Sequence, residues 1–480
     1  MQILFLISEV EDIVKTGGLA DVGKALPSAL HKMGNDVAII LPYYQTVSLD
    51  YDLPDAITPQ VLHVNGQSFS YRVKQLNLDG MDVYLIDHDY FRLSESPYAD
   101  TSIANNAQKF CFFTLCAICA AHELGIKPNI IHANDWHTSM TSYFVKSDFL
   151  QRNDLIGEPE WFEKTATVLT IHNAAFQGVE GLDQISMLDS IDAGKVYNQN
   201  GYLNMLKTGV MCSDAVCPVS PTYAKELFTE MGSHGIHDVI SQKGDAIVGI
   251  LNGCDYAQWD PANDSTIPAN FKSSDFSGKA ICKAALQAKA GFSQDETSAL
   301  FGMVCRATRQ KGFDYLLPIL EDILQHKIQL VIMGTGESRI TSELTRFSAL
   351  YPTKMHFIND FSNELSHLIE AGSDFFLMPS EFEPCGLNQM YSLAYATLPI
   401  VRRVGGLADT VTDINKPNGN GFVFEEPNSV ALANCIRRAL LLFEQDAARL
   451  NEIKHRAMKV KYTWDAAAQG YLNVYRNLVI

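Results

Sequence analysis

Three basic residues lie in glycine-containing segments that are suited to binding an anion. Lys15 precedes Gly17 and Gly18 in the segment VKTGGLADVG. Arg306 and Lys311 both belong to the segment CRATRQKGF. Glycine lets a backbone approach a ligand closely, and the N–H groups at a helix start favour an anion. Because arginine can bind two phosphate oxygens at once while lysine acts as a point charge, the pattern predicts binding of a diphosphate.

Each of these segments also has a purely structural interpretation. A Gly-Gly pair between a strand and a helix can be a tight turn that serves packing, and basic residues in loops are usually solvated. Neither the GxGxxG dinucleotide fingerprint nor the Walker P-loop occurs here in its expected context. The position of Arg306 and Lys311 directly after an apolar run favours ligand binding, since open α/β sheets bind ligands at the carboxyl ends of their strands.

The segment DFFLMPSEFEPCGLNQMYS combines an apolar run, a polar loop and a helical pattern. Glu383 lies in the loop, and Cys385, Gly386 and Leu387 stand at the expected start of the helix. Backbone N–H groups at that start would face a ligand, and the glutamate can accept hydrogen bonds from sugar hydroxyls. A lone carboxylate near a helix start is often only a cap, so both interpretations stay open.

Two further loops carry histidine beside acidic or amide residues. HANDWH contains His132, Asp135 and His137, and TIHN contains His172 and Asn173. A histidine after a strand is more often a structural hydrogen-bonding residue than a catalytic one. Polar groups and an aromatic ring at neighbouring strand ends are nevertheless what sugar recognition requires. A metal site in HANDWH is not favoured, because nothing else supplies a ligand set.

Apolar runs that alternate with helical patterns must position these loops, and they predict an α/β protein with mostly parallel, doubly wound sheets. In the first half we predict helices at 17–30 and 108–124, with Gly34 ending the first, and strands at 3–8, 36–41, 130–133, 167–171, 215–219 and 247–251. In the second half we predict helices at 385–396, 429–443 and within 462–480, and strands at 300–305, 328–333, 355–358, 375–379 and 398–402.

A change in composition sets the predicted domain boundaries. Residues 255–277 are polar and turn-rich, which indicates a linker between domains at 1–254 and 278–460, followed by a terminal helix within 461–480. The sequence GGLAD occurs near both ends of the chain, each time after a basic residue and before an expected helix. A chance repeat is one explanation, but two similar nucleotide-binding halves that face each other explain it better.

The overall charge and the cysteines exclude several classes of protein. The 480 residues carry a formal net charge of −18, and such an acidic chain on average repels nucleic acid and anionic membranes. Among the ten cysteines, Cys111, Cys116 and Cys119 lie in one strongly apolar stretch and no Cys/His spacing suggests zinc, which indicates reduced core residues and a cytoplasmic location. The apolar run 3–7 has no preceding basic residue, so we interpret it as a buried strand, not a signal peptide, and no run is long enough to span a membrane.

The chain resembles bacterial glycogen synthases and plant starch synthases in the order and context of the segments VKTGGLADV, HANDWH, TIHN, VSPTYAKE, LNGCD, RATRQKG, EPCGLNQ and RRVGGLADTV. The resemblance covers essentially the whole chain. It implies the GT-B fold, in which two Rossmann-like domains face each other across a deep cleft and a final helix crosses back to the N-terminal domain. It also implies transfer of glucose from ADP-glucose to the non-reducing end of an α-1,4-glucan, with retention of configuration and without a metal or cofactor.

The resemblance further implies roles for single residues. Lys15 with the Gly17–Gly18 turn would close over the phosphates, and Arg306 with Lys311 would bind the diphosphate and stabilise ADP as it leaves. The other implied contacts are to the sugar or the nucleotide: His172 and Asn173 to the donor glucose, Glu383 and the backbone of Cys385, Gly386 and Leu387 to the sugar hydroxyls, Asp135 near the reacting centre, Asp21 and Asn252 near the nucleotide, and Phe361 against its base.

Some positions depart from the pattern of the wider group. Eight positions after Glu383, where many related retaining transferases carry another glutamate, this chain has Tyr391, a difference that glycogen synthases share. The resemblance therefore favours front-face transfer, in which the leaving phosphate helps to deprotonate the acceptor. Three differences affect loops: Glu11 and Asp12 replace an alanine–proline-like stretch, Ala307 replaces a usual leucine, and NAQKF at 106–110 replaces a segment that more often contains arginine.

Two rival functions follow from the same architecture. One is a transferase with another acceptor or a PLP-dependent glucan phosphorylase, although a phosphorylase needs a PLP-bearing lysine region and normally a longer chain. The other is a non-catalytic protein that binds glucan or nucleotide, which the complete set of Lys15, Arg306, Lys311 and Glu383 argues against. No residue decides between ADP-glucose and UDP-glucose as donor, and none specifies an oligomeric state.

Overall fold

Two compact units make up the computed structural model, which describes residues 1–50, 52–94, 96–158, 160–188 and 194–479. One unit comprises Met1–Asn252 together with Trp464–Ile480, and the other comprises Gly253–Thr463. Each unit contains its own large sheet. Among the described residues, no helix is long and apolar enough to cross a membrane.

The strands of the first unit form one large and one small sheet. In its described part they are β1 (Gln2–Leu6), β2 (Asp36–Pro42), β3 (Gln60–Val64), β4 (Gln67–Leu78), β5 (Met81–Asp87), β6 (Ile130–Asn134), β7 (Ala166–Ile171), β8 (Val179–Gly181), β9 (Asn198–Gln199), β10 (Tyr202–Asn204) and β11 (Ala215–Pro218). The large sheet has the order β11-β7-β6-β1-β2-β5-β4-β3, and β8-β10-β9 form the small one. From β11 to β5 the strands are parallel, whereas β4 and β3 extend the sheet antiparallel.

Helices connect the parallel strands of this unit. They are α1 (Gly18–Lys32), α2 (Gln45–Asp50), α3 (Asp89–Arg92), α4 (Asn106–Glu123), α5 (Trp136–Lys146), α6 (Phe149–Arg152), α7 (Met205–Cys212), α8 (Pro221–Glu226) and α9 (His237–Lys243). Helix α4 is buried from Ala107 to Ala121, which explains its apolar composition on every face. The Asn105 side chain caps this helix by accepting a hydrogen bond from the backbone N–H of Gln108.

The second unit has a fully parallel sheet with helices between its strands. The strands are β12 (Ala299–Val304), β13 (Ile328–Met333), β14 (Met355–Ile358), β15 (Phe375–Met378), β16 (Leu398–Arg402) and β17 (Phe422–Phe424), in the order β14-β13-β12-β15-β16-β17. The helices are α10 (Ser277–Lys289), α11 (Phe313–Leu316), α12 (Leu320–Ile323), α13 (Ser338–Leu350), α14 (Asn363–Gly372), α15 (Asn388–Ala394), α16 (Gly405–Thr410), α17 (Ser429–Gln445) and α18 (Ala447–Lys459). The strands and helices enclose one apolar core.

Both sheets have the same strand order. In each, the first parallel strand lies at the centre, the second and third lie to one side, and the fourth to sixth lie to the other. This is the doubly wound Rossmann order, in which ligands bind outside the carboxyl ends of the strands where the order reverses. The reversal lies between β1 and β6 in the first unit and between β12 and β15 in the second.

The terminal helix α19 (Trp464–Leu478) belongs to the first unit and packs against α1. Its buried side includes Tyr471 and Tyr475. The Tyr475 hydroxyl lies 2.6 Å from Nδ1 of His132, and the Tyr471 hydroxyl lies 3.1 Å from Oγ1 of Thr170. The tyrosines thus satisfy polar groups of β6 and β7 inside the core, which fixes the helix to this unit.

Residues 255–277, which we expected to form a linker, pack into the second unit. Trp259 stacks between two rings, those of His367 and Tyr391, with centroid distances of 3.9 Å on each side. Oδ2 of Asp264 lies 2.7 Å from Nδ1 of His367 and accepts a hydrogen bond from the Tyr395 hydroxyl at 2.5 Å. The turn-forming residues of this stretch therefore shape a packed segment, and its polar composition does not make it a free connection.

The strands predicted from the sequence need correction in the first unit, where one predicted strand does not form and others were missed. Residues 247–251 form only an isolated bridge between Ile247 and Val216, not a strand. Strands β3, β4 and β5 were missed, although two hairpin turns announce them. Asn65-Gly66 joins β3 to β4 and Asp79-Gly80 joins β4 to β5, each with positive φ at both residues. Asn-Gly and Asp-Gly are the sequences that two-residue hairpins favour, so this signal was present in the sequence.

Candidate active site

The predicted site residues of the first unit follow the strands where the sheet order reverses. Strand β1 ends at Leu6 and leads into the loop that contains Lys15, and β6 ends at Asn134 and leads into Asp135. The neighbouring strand β7 leads into His172 and Asn173. The topology therefore brings the VKTGGLAD, HANDWH and TIHN segments to the carboxyl edge of one sheet, where a ligand is expected.

Lys15 is held between two carboxylates. Its ammonium group lies 2.7 Å from Oδ1 of Asp21 and 2.9 Å from Oε1 of Glu11. Partial burial acts to lower the pKa of Lys15, but the two carboxylates outweigh it and raise this pKa. Burial raises the pKa of Asp21, against the opposing effect of the Lys15 cation. Glu11, which departs from the family pattern, thus contributes directly to the position of the lysine.

The buried carboxylate of Glu9 binds the backbone of the glycine loop, the segment around Thr16, Gly17 and Gly18. One oxygen of the buried Glu9 carboxylate accepts hydrogen bonds from the backbone N–H groups of Thr16 and Gly17, the latter at 3.1 Å. We expected the N–H groups of this turn to face a ligand, and for these two the structure shows an internal partner instead. The N–H of Gly18, the first residue of α1, donates to no described residue and is the group left for an anion.

Asp135 ties the end of β6 to the end of β7. Its Oδ1 accepts hydrogen bonds from the backbone N–H groups of His172 at 2.7 Å and Asn173 at 3.3 Å. Asp135 precedes α5 with a φ of +57°, a left-handed conformation that is uncommon outside glycine. Burial raises the pKa of this carboxyl to about 7, against the effect of the two backbone hydrogen bonds. The sequence assigned Asp135 to the reacting centre, and the structure adds this supporting role.

Of the three histidines in these loops, His132 and His137 are buried and His172 is half-buried. Nε2 of His172 lies 3.0 Å from Oδ1 of Asn134, and burial lowers its pKa to about 3. His132 and His137 also have pKa values lowered to about 3 by burial. Both ring nitrogens of His132 form hydrogen bonds, one with Thr170 and one with Tyr475. His132 is therefore a structural hydrogen-bonding residue. His172 is therefore a neutral hydrogen-bonding group, and no cation.

In the second unit, Lys311 and Glu383 form a buried ion pair. The Lys311 ammonium lies 2.7 Å from Oε2 of Glu383, and the Ser380 hydroxyl donates to the same oxygen at 2.9 Å. Lys311 follows β12, and Glu383 follows β15, so the two strands at the reversal of the sheet each contribute one partner. Gly312 makes the approach possible, because a Cβ added there would lie 1.9 Å from the carbonyl oxygen of Pro379.

Arg306 and Phe361 are exposed at loops of the same unit. Arg306 lies after β12, and within the described residues its guanidinium forms no ion pair. Phe361 lies after β14 with 65% of its surface exposed. An exposed arginine and an exposed aromatic ring at the carboxyl edge of a parallel sheet are available to a nucleotide.

The second GGLAD segment packs against the Glu383 loop. A Cβ added at Gly405 would lie 2.0 Å from the carbonyl oxygen of Glu383, and one added at Gly406 would lie 2.1 Å from that of Cys385. The N–H of Gly406 donates to the carbonyl oxygens of Glu383 and Pro384, both at 3.1 Å. The two copies of GGLAD therefore differ in role. In the first unit the segment leaves the N–H of Gly18 available, whereas in the second unit its glycines allow close packing.

Helix α15 begins at Asn388, three residues later than the sequence predicted. Cys385 is buried, and Gly386 has a φ of +73°, which favours glycine at that position. The N–H groups of Gly386 and Leu387 donate to no described residue. They and Glu383 form a polar rim at the end of β15 that can receive hydroxyl or phosphate oxygens.

Four other observations complete the site. Asn252 ends the first of the two chain segments that make up the first unit, and its buried Oδ1 has no partner in the described parts of the chain. Tyr391 stacks on Trp259. Glu9 was not among the residues predicted from the sequence, although it is an acidic residue directly after the first predicted strand. Among the described residues, no cluster of three or more His, Cys, Asp or Glu side chains is arranged to hold a metal.

The comparisons with known families agree with this organisation. The model "Starch synthase catalytic domain" matches residues 2–242, and the model "Glycosyl transferases group 1" matches residues 287–456. The catalytic domain of starch synthase IV from Arabidopsis thaliana, solved with ADP and acarbose, has a TM-score of 0.90, 27% identity, and coverage of 100% of this chain and 99% of that one. The fold and site thus define a GT-B glycosyltransferase, which confirms the predicted class.

Relatives with a named activity identify the family within the GT-B glycosyltransferases. The glycogen synthase of Aliivibrio fischeri strain ES114 is 43% identical over 491 residues, covering 100% of this chain and 99% of the relative. The glycogen synthase of Vibrio parahaemolyticus is 44% identical over 490 residues, covering 99% and 98%. The chain belongs to the glycogen/starch synthase family of glycosyltransferases.

Proposed function

We propose that this chain lengthens an α-1,4-glucan by transferring glucose from ADP-glucose to its non-reducing end, with retention of configuration and without a metal. The observation that carries this proposal is the largely shielded Lys311–Glu383 pair at the reversal of the second sheet, together with the exposed Arg306 that follows the same strand as Lys311. The names of the full-length relatives, which are glycogen synthases, support the same substrates.

The second unit would hold the diphosphate through its cations. Breaking the bond between glucose and phosphate leaves negative charge on ADP, and the cations of Arg306 and Lys311, which both follow β12, would offset it. One well-placed donor of this kind commonly contributes about 3–4 kcal/mol to transition-state stabilisation. In the free enzyme the Lys311 charge is balanced by Glu383. When the donor binds, the Lys311 ammonium would therefore interact with both the Glu383 carboxylate and a phosphate.

Sugar recognition would use the polar groups at the strand ends. We assign Glu383 and the N–H groups of Cys385, Gly386 and Leu387 to the glucose hydroxyls. His172 and Asn173 are assigned to the donor glucose, and Asp135 to the surroundings of the reacting carbon. A neutral His172 suits this role, because it can donate or accept a hydrogen bond without adding a charge.

The remaining assignments concern the nucleotide. Lys15, Gly17 and Gly18 are assigned to the phosphates, Asp21 and Asn252 to the nucleotide, and Phe361 to its base. The unpartnered Oδ1 of Asn252 supports a polar ligand contact there. The raised pKa of Lys15 supports an ammonium that stays charged at neutral pH, as phosphate binding requires. A cytoplasmic location is supported by the ten cysteines, all of which are free thiols.

Retention would proceed on one face of the sugar. Retaining glycosidases use two carboxylates, whereas here the position eight residues after Glu383 is Tyr391, whose ring stacks on Trp259. This supports a mechanism in which the leaving phosphate accepts the proton of the acceptor hydroxyl. Glu383 would then orient the sugar and would not serve as a nucleophile.

The test is incorporation of labelled glucose into glycogen. The protein is incubated with labelled ADP-glucose or UDP-glucose, with and without EDTA, and the polymer is digested with an enzyme specific for α-1,4 linkages. We expect incorporation from ADP-glucose that EDTA leaves unchanged and that digestion releases. No incorporation from either donor would refute the transferase assignment, a preference for UDP-glucose would correct the donor, and loss with EDTA would refute metal independence.

A further inference from the structure

A fully buried lysine lies behind the glycine loop of the first unit. Lys109, on α4, is 0% exposed, and its ammonium group donates only to neutral oxygens. These are the carbonyl of Ala99 at 2.7 Å, Oγ of Ser94 at 3.1 Å, Oδ1 of Asn106 at 3.3 Å and the carbonyl of Pro97 at 3.4 Å. In the described part of the chain no carboxylate pairs with it, so the cation organises the oxygens of one loop.

That loop carries Tyr98. The amide of Asn106, whose oxygen accepts from Lys109, donates to the carbonyl oxygen of Tyr98 at 2.6 Å. The Tyr98 ring packs on His137 with a centroid distance of 4.8 Å. Lys109 therefore holds the backbone on both sides of Tyr98, at Pro97 and Ala99, and so restricts the position of the tyrosine.

Tyr98 points to Glu9. Its hydroxyl donates to Oε1 of Glu9 and lies 3.2 Å from Oγ of Ser8. The other carboxylate oxygen, Oε2, accepts from the N–H groups of Thr16 and Gly17. Glu9 is 2% exposed, so few alternative partners can reach it from solvent. The carboxylate thus joins the tyrosine on one side to the glycine loop on the other.

We propose that Lys109 is a positioning residue for the transfer reaction, acting through Tyr98 and Glu9 on the glycine loop that carries Lys15. Lys109 touches no predicted substrate-binding residue, and its influence passes through three consecutive sets of hydrogen bonds. The proposal rests on the function proposed above, in which Lys15 contacts the phosphates. Lys109 belongs to the segment NAQKF at 106–110, where the resemblance indicates a segment that more often contains arginine.

The geometry explains why a buried cation is kept at this place. A lysine ammonium has three donors, and here the oxygens of several residues of one loop need donors away from water. Burial lowers the pKa of Lys109 to about 8, so the charged form is held at a cost that an apolar residue would avoid. An apolar replacement would leave the carbonyls of Pro97 and Ala99 without this partner and would free the Tyr98 loop.

The test measures amide exchange in the glycine loop and steady-state kinetics in parallel. The variants are Lys109→Met, Tyr98→Phe and Lys109→Arg, studied by hydrogen–deuterium exchange with fragmentation that resolves Thr16 and Gly17. We expect Lys109→Met and Tyr98→Phe to speed exchange of these amides about ten-fold, because the accepting carboxylate loses its fixed position. Lys109→Arg, which keeps a cation, should stay within about two-fold of the wild type.

The kinetic readout separates positioning from loss of structure. We expect Lys109→Met and Tyr98→Phe to lower kcat about five- to twenty-fold with KM for ADP-glucose changed less than about two-fold, because a misplaced Lys15 costs most where charge develops on the phosphate in the transition state. Lys279→Met is the matched control, because Lys279 is also buried and donates to neutral oxygens but lies in the second unit. It should lower thermal stability without changing exchange at Thr16 and Gly17.

The exchange measurement does not depend on activity, so the two proposals can fail separately. Absence of glucose incorporation by the wild type would refute the proposed function and leave the exchange prediction intact. Unchanged exchange in Tyr98→Phe would overturn the positioning role, whatever the kinetics show. If Lys109→Met does not fold, Tyr98→Phe decides alone, since it keeps the ring and removes only the hydroxyl.

Discussion

The ammonium of Lys311 lies 2.7 Å from Oε2 of Glu383, although 72 positions separate the two residues in the chain. The pair joins the loops that follow β12 and β15, and it is largely shielded from solvent. A buried ion pair is sensitive to removal of one partner, because the other is left as an uncompensated charge. The two residues should therefore behave as one unit in binding and in turnover.

Coupling between Lys311 and Glu383 gives the first prediction. We expect Lys311→Ala and Glu383→Ala each to lower kcat by about 100- to 1000-fold, and the double variant to lose much less than the product of the two effects. A double-mutant cycle on glucose incorporation measures this coupling. The exposed pair Arg339–Asp314, at 2.6 Å in the same unit, is the control and should show a negligible kinetic effect. Full multiplicativity for Lys311 and Glu383 would contradict the prediction.

Replacement of Asp135 by asparagine should separate stability from activity. Because burial raises the folded-state pKa of Asp135 to about 7, protonation favours the folded state, and this stabilisation is lost as pH rises from about 4 through 7. Asp135→Asn keeps an oxygen for the N–H groups of His172 and Asn173. We expect it to be more stable than the wild type at about pH 8, on the order of 2 kcal/mol, and to lose this advantage near pH 4.

Thermal unfolding at several pH values, together with turnover, measures this effect. The proposed site predicts a lower kcat for Asp135→Asn even where the variant is more stable. Asp148→Asn, at an exposed carboxylate, is a suitable control with little change in either quantity. A stability difference that is the same at pH 4 and pH 8, within about 0.5 kcal/mol, would show that the charge of Asp135 is not responsible.

The two GGLAD segments should respond differently to added methyl groups. A Cβ at Gly406 would lie 2.1 Å from the carbonyl oxygen of Cys385, whereas one at Gly17 would meet nothing within 4 Å. Gly17 also has an extended φ of −155°, which any residue adopts. We therefore expect Gly406→Ala to lower the free energy of unfolding by about 1–3 kcal/mol and Gly17→Ala to change it by less than about 0.5 kcal/mol. Chemical denaturation measures both, and equal effects would contradict the packing difference.

The terminal helix supplies a hydrogen bond to the core of the first unit. Tyr475→Phe removes the hydroxyl that lies 2.6 Å from Nδ1 of His132 and leaves a buried ring nitrogen without that partner. We expect a loss of about 1–3 kcal/mol in the free energy of unfolding. Tyr202→Phe, at a tyrosine that is exposed, is the control and should change little. An unchanged melting temperature for Tyr475→Phe would show that this bond contributes nothing net.

Local sequence patterns were sufficient for continuous apolar runs, both where the strand is buried on both faces, as β13 is, and where it lies at the edge of its sheet, as β14 does. Strands β13, β14 and β16 have the predicted bounds, because such runs are continuous and end at turn-forming residues. The antiparallel strands β3 and β4 were missed, since they are only partly buried and alternate weakly. The end of α15 nearest Glu383 was also misplaced, because Gly386 adopts a positive φ that delays the helix.

The location of the candidate site residues could be predicted from the sequence, because charged residues after buried strands must lie at the carboxyl edge of a parallel sheet. Lys15, Arg306, Lys311 and Glu383 were identified in this way, and the family resemblance supplied their roles. Tertiary structure alone decided how these groups are held. It pairs Lys311 with Glu383, directs the N–H groups of Thr16 and Gly17 to Glu9, and buries Lys109 behind them. Such partners are distant in sequence, and no local pattern specifies which buried donor meets which acceptor.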